Sequence, residues 1–177
     1  MLNRERDSYI RTLEMFELLP GAAEAVASLN RRGFAVFVVT NQSGIARGYL
    51  TLDTLDAMHR VLRSAVQAAG GAISGIYFCP HHPDEGCVCR KPSPYLVRKA
   101  AAEHGIDLGA SFFVGDTAID VACGRAAGCR TILALSGKTT REMLETFPVQ
   151  PDHVCEDLAA AVEWITACDA AGGSETP

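Results

Sequence analysis

The 177-residue chain, 48% hydrophobic and 21% charged, has the size and balance of one globular domain able to bury about 70% of its unfolded surface. With 21 acidic against 16 basic residues its formal charge is −5, and no lysine or arginine run is present to neutralise a phosphate backbone, which excludes nucleic acid as the expected partner. The opening MLNRERDSYIR is charged where a signal peptide is apolar, and the longest apolar stretch, FAVFVV, is too short for a bilayer. A cytoplasmic chain without membrane contact is therefore expected, and it is expected to be a monomer.

After Pro20, GAAEAVASLNRRG places Ala22, Val26 and Leu29 at helical spacing and stops at Gly33. Phe34 to Val39 follows as an unbroken apolar run of aromatic and β-branched residues, the composition of a parallel strand covered on both faces. Thr51 then caps a helix whose Leu55, Met58, Leu62 and Ala65 line one side. Strand GIYFC, helix SPYLVRKAAAEHG with Pro94 in its first turn, strand SFFVGD, helix AIDVACGRAAG and strand RTILAL continue the series. A short helix TTREMLETF, an edge strand HVC and the helix DLAAAVEWITAC complete it. Strands and helices in strict succession, with no repeat and no Pro/Gly/Ser-rich linker, predict one α/β domain over residues 1–168. Its architecture is expected to be a three-layer, doubly wound parallel sheet with helices on both faces. The tail DAAGGSETP, residues 169–177, is expected to be disordered. Ligands of such folds bind beyond the carboxyl ends of the strands.

Three of the seven cysteines are concentrated in CPHHPDEGCVCRKP, and the other four, Cys123, Cys129, Cys155 and Cys168, are scattered, which argues against a disulfide framework. The scattered four read as small hydrophobes. In an extended segment residues i and i+2 point to one side, so Cys79 with His81 and Cys87 with Cys89 form two pincers joined by a five-residue loop. Four N/S ligands fill a tetrahedron and leave no open position, so the implied zinc is structural; His82, facing the other way, is the second choice as a ligand. Arg90 and Lys91 follow immediately, so the zinc loop is expected to aim two cations at the binding site.

Three polar signals fall at or near the strand ends: TNQSG after VV, CRKP before a helix, and GDTAID after FFV. The Thr40 hydroxyl and the amides after it could bond a phosphoryl oxygen, and Lys91 offers a point charge for the same group. Asp116, at a strand terminus, suits a hard cation such as magnesium, with Asp120 four residues on as a possible supporting group.

The ordered set Thr40-Asn41, Lys91 before a helix and Asp116 with Asp120 resembles three of the motifs of the haloacid dehalogenase (HAD)-like phosphatases. VVTNQSGIARG, IYFCPHHPDEGCVCRKP and VGDTAID together are similar to the D-glycero-D-manno-heptose 1,7-bisphosphate 7-phosphatases, over residues 2 to about 165. The histidinol-phosphate phosphatases share the zinc loop. The resemblance implies a capless, magnesium-dependent enzyme of heptose precursor synthesis that forms an aspartyl-phosphate. By that resemblance Thr40 and Lys91 would be catalytic, steadying the transferring phosphoryl group, and Asp116 would hold magnesium. Asn41, Gln42, Ser43 and Arg90 would touch substrate, and the stretch from Glu5 to Tyr9 would help select it. TNQSGIARG favours heptose bisphosphate over histidinol phosphate.

Phosphatases of this family carry an Asp-x-Asp-Gly-Thr segment at the end of their first strand, and this sequence has none. The first aspartate is the nucleophile and the second a general acid and base. Leu2-Asn3 matches the residues that follow the segment in relatives. Two expectations arise: a hydrolase whose start is placed too late, or a pseudoenzyme that binds sugar phosphates without cleaving them. Removing a central strand exposes two hydrogen-bonding edges, which favours the first, and the 177-residue form is expected to be inactive.

Overall fold

The structure, a computed structural model, describes residues 2–4 and 8–172. Gly21, in the left-handed region at φ 77°, turns the chain into helix α1 (Ala22–Arg31), which buries Ala22, Ala25, Val26 and Leu29. Helix α2 (Leu52–Ala68) starts as its sequence demands: the Thr54 amide donates to the Thr51 hydroxyl at 3.1 Å, satisfying one of the first-turn N–H groups. Leu55, Met58, Leu62 and Val66 form its buried stripe. Helices α3 (Tyr95–His104), α4 (Ala118–Ala127) and α5 (Leu158–Gly172) follow at the expected places. Pro94 sits one position earlier than predicted, as the residue that caps α3 rather than inside its first turn. The short helix near residue 140 is a 3₁₀ turn, Glu142–Thr146. Helix α5 runs on to Gly172, so residues 169–172 of the expected disordered tail are helical, while 173–177 lie outside the described residues.

Among the described residues there are five strands, paired in parallel, but they do not form the single sheet expected. Strand β1 (Phe37–Asn41) pairs only with β2 (Gly75–Cys79), and β3 (Phe112–Gly115) pairs with β4 (Arg130–Ala134), which pairs with β5 (His153–Cys155). Among the described residues, no ladder joins β1 to β3. Strand β1 also starts later than the apolar run, because its partner begins only at Gly75, opposite Phe37.

Helices hold the two pieces together. On one face α1 packs against both α2 and α5, with Val26, Leu62 and Val66 over β1 and Leu29, Val162 and Ile165 over β4. On the other face α3 packs on β1, β2 and α4, sharing a core of Val97, Cys123, Ala127 and Cys129. Each fully buried aliphatic side chain contributes about 1.5–3 kcal/mol, so these layers keep the pieces in place where no ladder does. Between β1 and β3 lies an apolar cleft of about 370 Å³, walled by Val38 and Val39 on one strand and by Phe112 and Val114 on the other.

Candidate active site

The two sheet pieces meet at Lys91. Its Nζ donates to the Val39 carbonyl of β1 at 2.8 Å and to Asp120 Oδ1 at the start of α4 at 2.7 Å. Both members of this ion pair are largely buried, with 12% and 7% of their side chains exposed. The lysine thus fixes the carboxyl end of β1 beside that of β3; Thr40 follows Val39 in β1, and Asp116 follows Gly115, the last residue of β3.

Sequence explains how Lys91 gets there. Asn41 closes a two-point clamp on its backbone: the Lys91 amide donates to Asn41 Oδ1 at 3.0 Å, and Asn41 Nδ2 donates to the Lys91 carbonyl at 3.2 Å. The Gln42 side chain donates to the Thr40 hydroxyl at 3.3 Å, and the Gln42 amide donates to the Cys79 carbonyl at 2.7 Å. Ser43 is buried, with its hydroxyl 3.3 Å from the Tyr9 phenol. That hydrogen bond holds the phenol below its ordinary range; burial opposes the shift, and the nearby Arg47 and Arg90 charges reinforce it. Residues 5–7 of the expected selectivity stretch lie outside the described residues. Arg90 has one guanidinium nitrogen, Nη1, that is buried without a hydrogen-bond partner, a costly state for a donor that a bound anion would relieve.

Asp120, expected only as a supporting group for a metal, is bonded within the protein through both carboxylate oxygens. Its Oδ2 accepts from the Asp116 and Thr117 amides, each at 3.2 Å, and from the Thr117 hydroxyl at 2.7 Å, while its own amide closes a capping box with Thr117. Both carboxylate oxygens are therefore engaged. Gly115 leaves the room for this, since a Cβ there would lie 2.1 Å from Asp120 Cβ.

Sequence reasoning missed the loop after β4. The Lys138 amide donates to Asp116 Oδ2 at 3.3 Å, and the Thr139 hydroxyl donates to the Asp116 carbonyl at 2.6 Å. A Cβ at Gly137 would stand 2.0 Å from Asp116 Oδ2, so only glycine permits this approach. The signal was Ser136-Gly137-Lys138-Thr139 at a strand's carboxyl end. Arg47, within TNQSGIARG, is a second such residue: its charge lies beside the Tyr9 phenol.

Cys79, His81, Cys87 and Cys89 bring one donor atom each to within 4.8 Å of one another. A tetrahedral zinc with Zn–S of about 2.3 Å and Zn–N of about 2.05 Å requires S···S edges of about 3.8 Å and S···N edges of about 3.6 Å. The structure has 3.5 Å for Cys79–Cys87 and 3.8 Å for Cys87–Cys89, with 3.6 Å for Cys79–His81 and 3.2 Å for His81–Cys89. The set fits zinc. His82 is not part of it: its Nδ1 accepts from the Asp84 amide at 3.3 Å and caps the 3₁₀ turn Pro83–Glu85. Cys79 is also the last residue of β2, opposite Asn41, so the cluster grips the strand paired with the one that carries the Lys91 clamp. The scattered Cys123, Cys129 and Cys155 are buried free thiols, and burial pushes each up to about 11, as packing residues should be. Among the described residues no helix is long and apolar enough to cross a membrane.

Residues 88–161 match the HAD-hydrolase-like family. The chain is 42% identical over 160 residues to the D-glycero-beta-D-manno-heptose-1,7-bisphosphate 7-phosphatase of Pseudomonas aeruginosa, a match covering 90% of this chain and 89% of the relative. The enzyme of the same name from Pseudomonas putida is 44% identical over 160 residues, covering 90% and 91%. The crystal structure of the D,D-heptose 1,7-bisphosphate phosphatase of B. bronchiseptica, complexed with magnesium and phosphate, superposes with a TM-score of 0.87 at 36% identity. That superposition covers 94% of this chain and 93% of the other.

Proposed function

Because the chain belongs to the heptose-1,7-bisphosphate 7-phosphatases of the HAD-like hydrolases, we propose that its site binds D-glycero-D-manno-heptose 1,7-bisphosphate by the 7-phosphate, in the cytoplasm and as a monomer. The observation that carries this reading is the Lys91 ammonium, held between Val39 and Asp120 at the meeting point of the two sheet pieces.

The Thr40 hydroxyl and the Lys91 ammonium hold the phosphoryl oxygens, one as a hydrogen-bonding group and the other as a compact charge. Asn41 acts through Lys91, because both of its amide atoms are bonded to that residue's backbone. Asp116 is the residue that would hold magnesium, which supplies neutralisation of the phosphoryl charge when bound. The buried, unpartnered nitrogen of Arg90 is suited to the remainder of a bisphosphate, with Arg47, Tyr9 and Ser43 beside it. Cys79, His81, Cys87 and Cys89 would hold zinc, which would fix the backbone entering Arg90 and Lys91.

The 177-residue chain has no Asp-x-Asp pair to supply nucleophile and acid, so it binds the sugar bisphosphate without hydrolysing it. Titration calorimetry with magnesium present tests this reading. Heptose bisphosphate should bind at least about tenfold more tightly than histidinol phosphate, and Lys91→Met should weaken that binding. Tighter binding of histidinol phosphate would overturn the substrate assignment, and magnesium-dependent phosphate release by the chain alone would overturn the inactivity.

A further inference from the structure

We propose that Ser93 is a positioning residue for the bisphosphate: it closes residues 88–93 into a ring that sets where the Arg90 guanidinium stands, separately from the bonds that hold Lys91. Ser93 is the knot of this stretch. Its hydroxyl donates to the Val88 carbonyl at 2.6 Å, and the Tyr95 amide, the first of α3, donates to that hydroxyl at 3.3 Å. Its amide donates to the Arg90 carbonyl at 2.9 Å. Its carbonyl accepts from the Cys123 thiol of α4 at 3.3 Å. The amide, carbonyl and hydroxyl of Ser93 are thus all engaged, with residues before it, after it and on a helix distant in sequence.

Val88 lies between Cys87 and Cys89 of the metal cluster, so the hydroxyl bond ties that cluster to the start of α3 across both cations. The amide bond takes the carbonyl of Arg90 itself. Cys123 stands three positions after Asp120, on the same side of α4. One helix therefore grips the stretch twice, through Asp120 on the Lys91 ammonium and through Cys123 on the Ser93 carbonyl. Lys91 is held by other partners: Asn41 bonds both its backbone groups, and Val39 and Asp120 bond its ammonium. Two cations adjacent in sequence thus have separate supports. The separation matters because Arg90 Nη1 is buried without a partner, and a rigid planar fork aimed at an anion tolerates misplacement less than a compact ammonium does. Loosening the ring should weaken the grip on the far end of a bisphosphate and spare the single phosphoryl group at Lys91. The ring stands on its hydrogen bonds alone; its part in selectivity rests on the function proposed above.

The test compares the whole zinc-loaded chain with Ser93→Ala and Ser93→Thr, by titration calorimetry with magnesium present, against heptose bisphosphate and inorganic phosphate. Ser93→Ala should weaken the bisphosphate about tenfold and inorganic phosphate by less than about twofold, and Ser93→Thr, which keeps a hydroxyl, should bind both as the parent chain does. Arg90→Ala should itself weaken the bisphosphate, and adding Ser93→Ala to it should cost less than about twofold more. In Ser93→Ala, hydrogen exchange at the amides of residues 93 and 95 should speed by about tenfold, with the Lys91 amide unchanged. An equal loss for both ligands, no rescue by threonine, losses that multiply in the double variant, or release of zinc from Ser93→Ala overturns the proposal. So does exchange that is unchanged at residues 93 and 95 or that speeds equally at Lys91. A parent chain that binds the bisphosphate no more tightly than inorganic phosphate counts against the proposed function instead, and the exchange pattern then decides whether Ser93 holds Arg90 apart from Lys91.

Discussion

Replacing Asp120 by asparagine should destabilise the chain far more than removing its partner Lys91, although the two substitutions break the same ion pair. The reason is the distribution of compensating bonds. Asp120 Oδ2 accepts three hydrogen bonds besides the Lys91 contact on Oδ1. An asparagine has one oxygen and one NH₂: pointing the oxygen at the three donors presents NH₂ to the ammonium, and the reverse presents NH₂ to the three donors. Lys91, 88% buried by side-chain area, would retain only the Val39 carbonyl. A buried charge stripped of its partner costs about 3–5 kcal/mol, a large share of a typical total of about 5–15 kcal/mol. Lys91→Met leaves a carboxylate still serving three donors, so about 1–2 kcal/mol is expected. In urea denaturation at pH 7, with a slope of about 2 kcal/mol per molar, Asp120→Asn should lower the midpoint by about 1.5–2.5 M and Lys91→Met by less than about 1 M. The double variant should be more stable than Asp120→Asn alone. Equal losses for the two single variants, or strictly additive losses in the double, would refute the reasoning.

Gly137→Ala places a methyl group on the Asp116 carboxylate, so magnesium affinity by calorimetry should fall more than about tenfold while the melting temperature moves little; unchanged affinity would show that this carboxylate is not the metal's anchor. Removing zinc should lower the melting temperature, weaken sugar-bisphosphate binding, and speed exchange at the Arg90 and Lys91 amides, and a chelated sample that matches the untreated one in all three would rule out the clip. In that zinc-free chain burial resists ionisation of Cys87, but hydrogen bonds from Cys79 and the Arg90 backbone outweigh it and bring the thiol down to about 7. Cys79 is pushed up to about 12, chiefly by burial. A folded-state value below the unfolded one means the contribution of Cys87 to stability is present above about pH 9 and fades as pH falls through 7. Alkylation of Cys87 should accordingly reach its half-maximal rate near pH 7, and a midpoint near 9 would contradict this.

The helices were readable because their cause is local. Thr51 caps α2 and the apolar stripe from Leu55 onward is in one continuous piece of chain. The zinc cluster was readable for the same reason, two pairs at i, i+2 spacing, which also picked His81 over His82, whose ring the turn at Pro83–Glu85 claims. The break between β1 and β3 was anticipated only as the consequence of a strand not found in the sequence, since an apolar run says nothing about what lies on either side of it. Least visible were relations between distant segments. Nothing near Gly137 announces that Asp116, 21 positions earlier, occupies the space a side chain would take, and Asp120 reads as a metal's helper until Lys91 is seen bonded to it.

Helix-to-helix contact, rather than backbone ladder, joins the β1–β2 piece to the β3–β4–β5 piece. Ladders are broken one bond after another and resist slippage, whereas packed aliphatic faces give way together once a small gap opens. Partial opening of this molecule should accordingly divide it into two cooperative units, parting along α1–α5 and α3–α4, with the lysine bridge the last polar tie to let go.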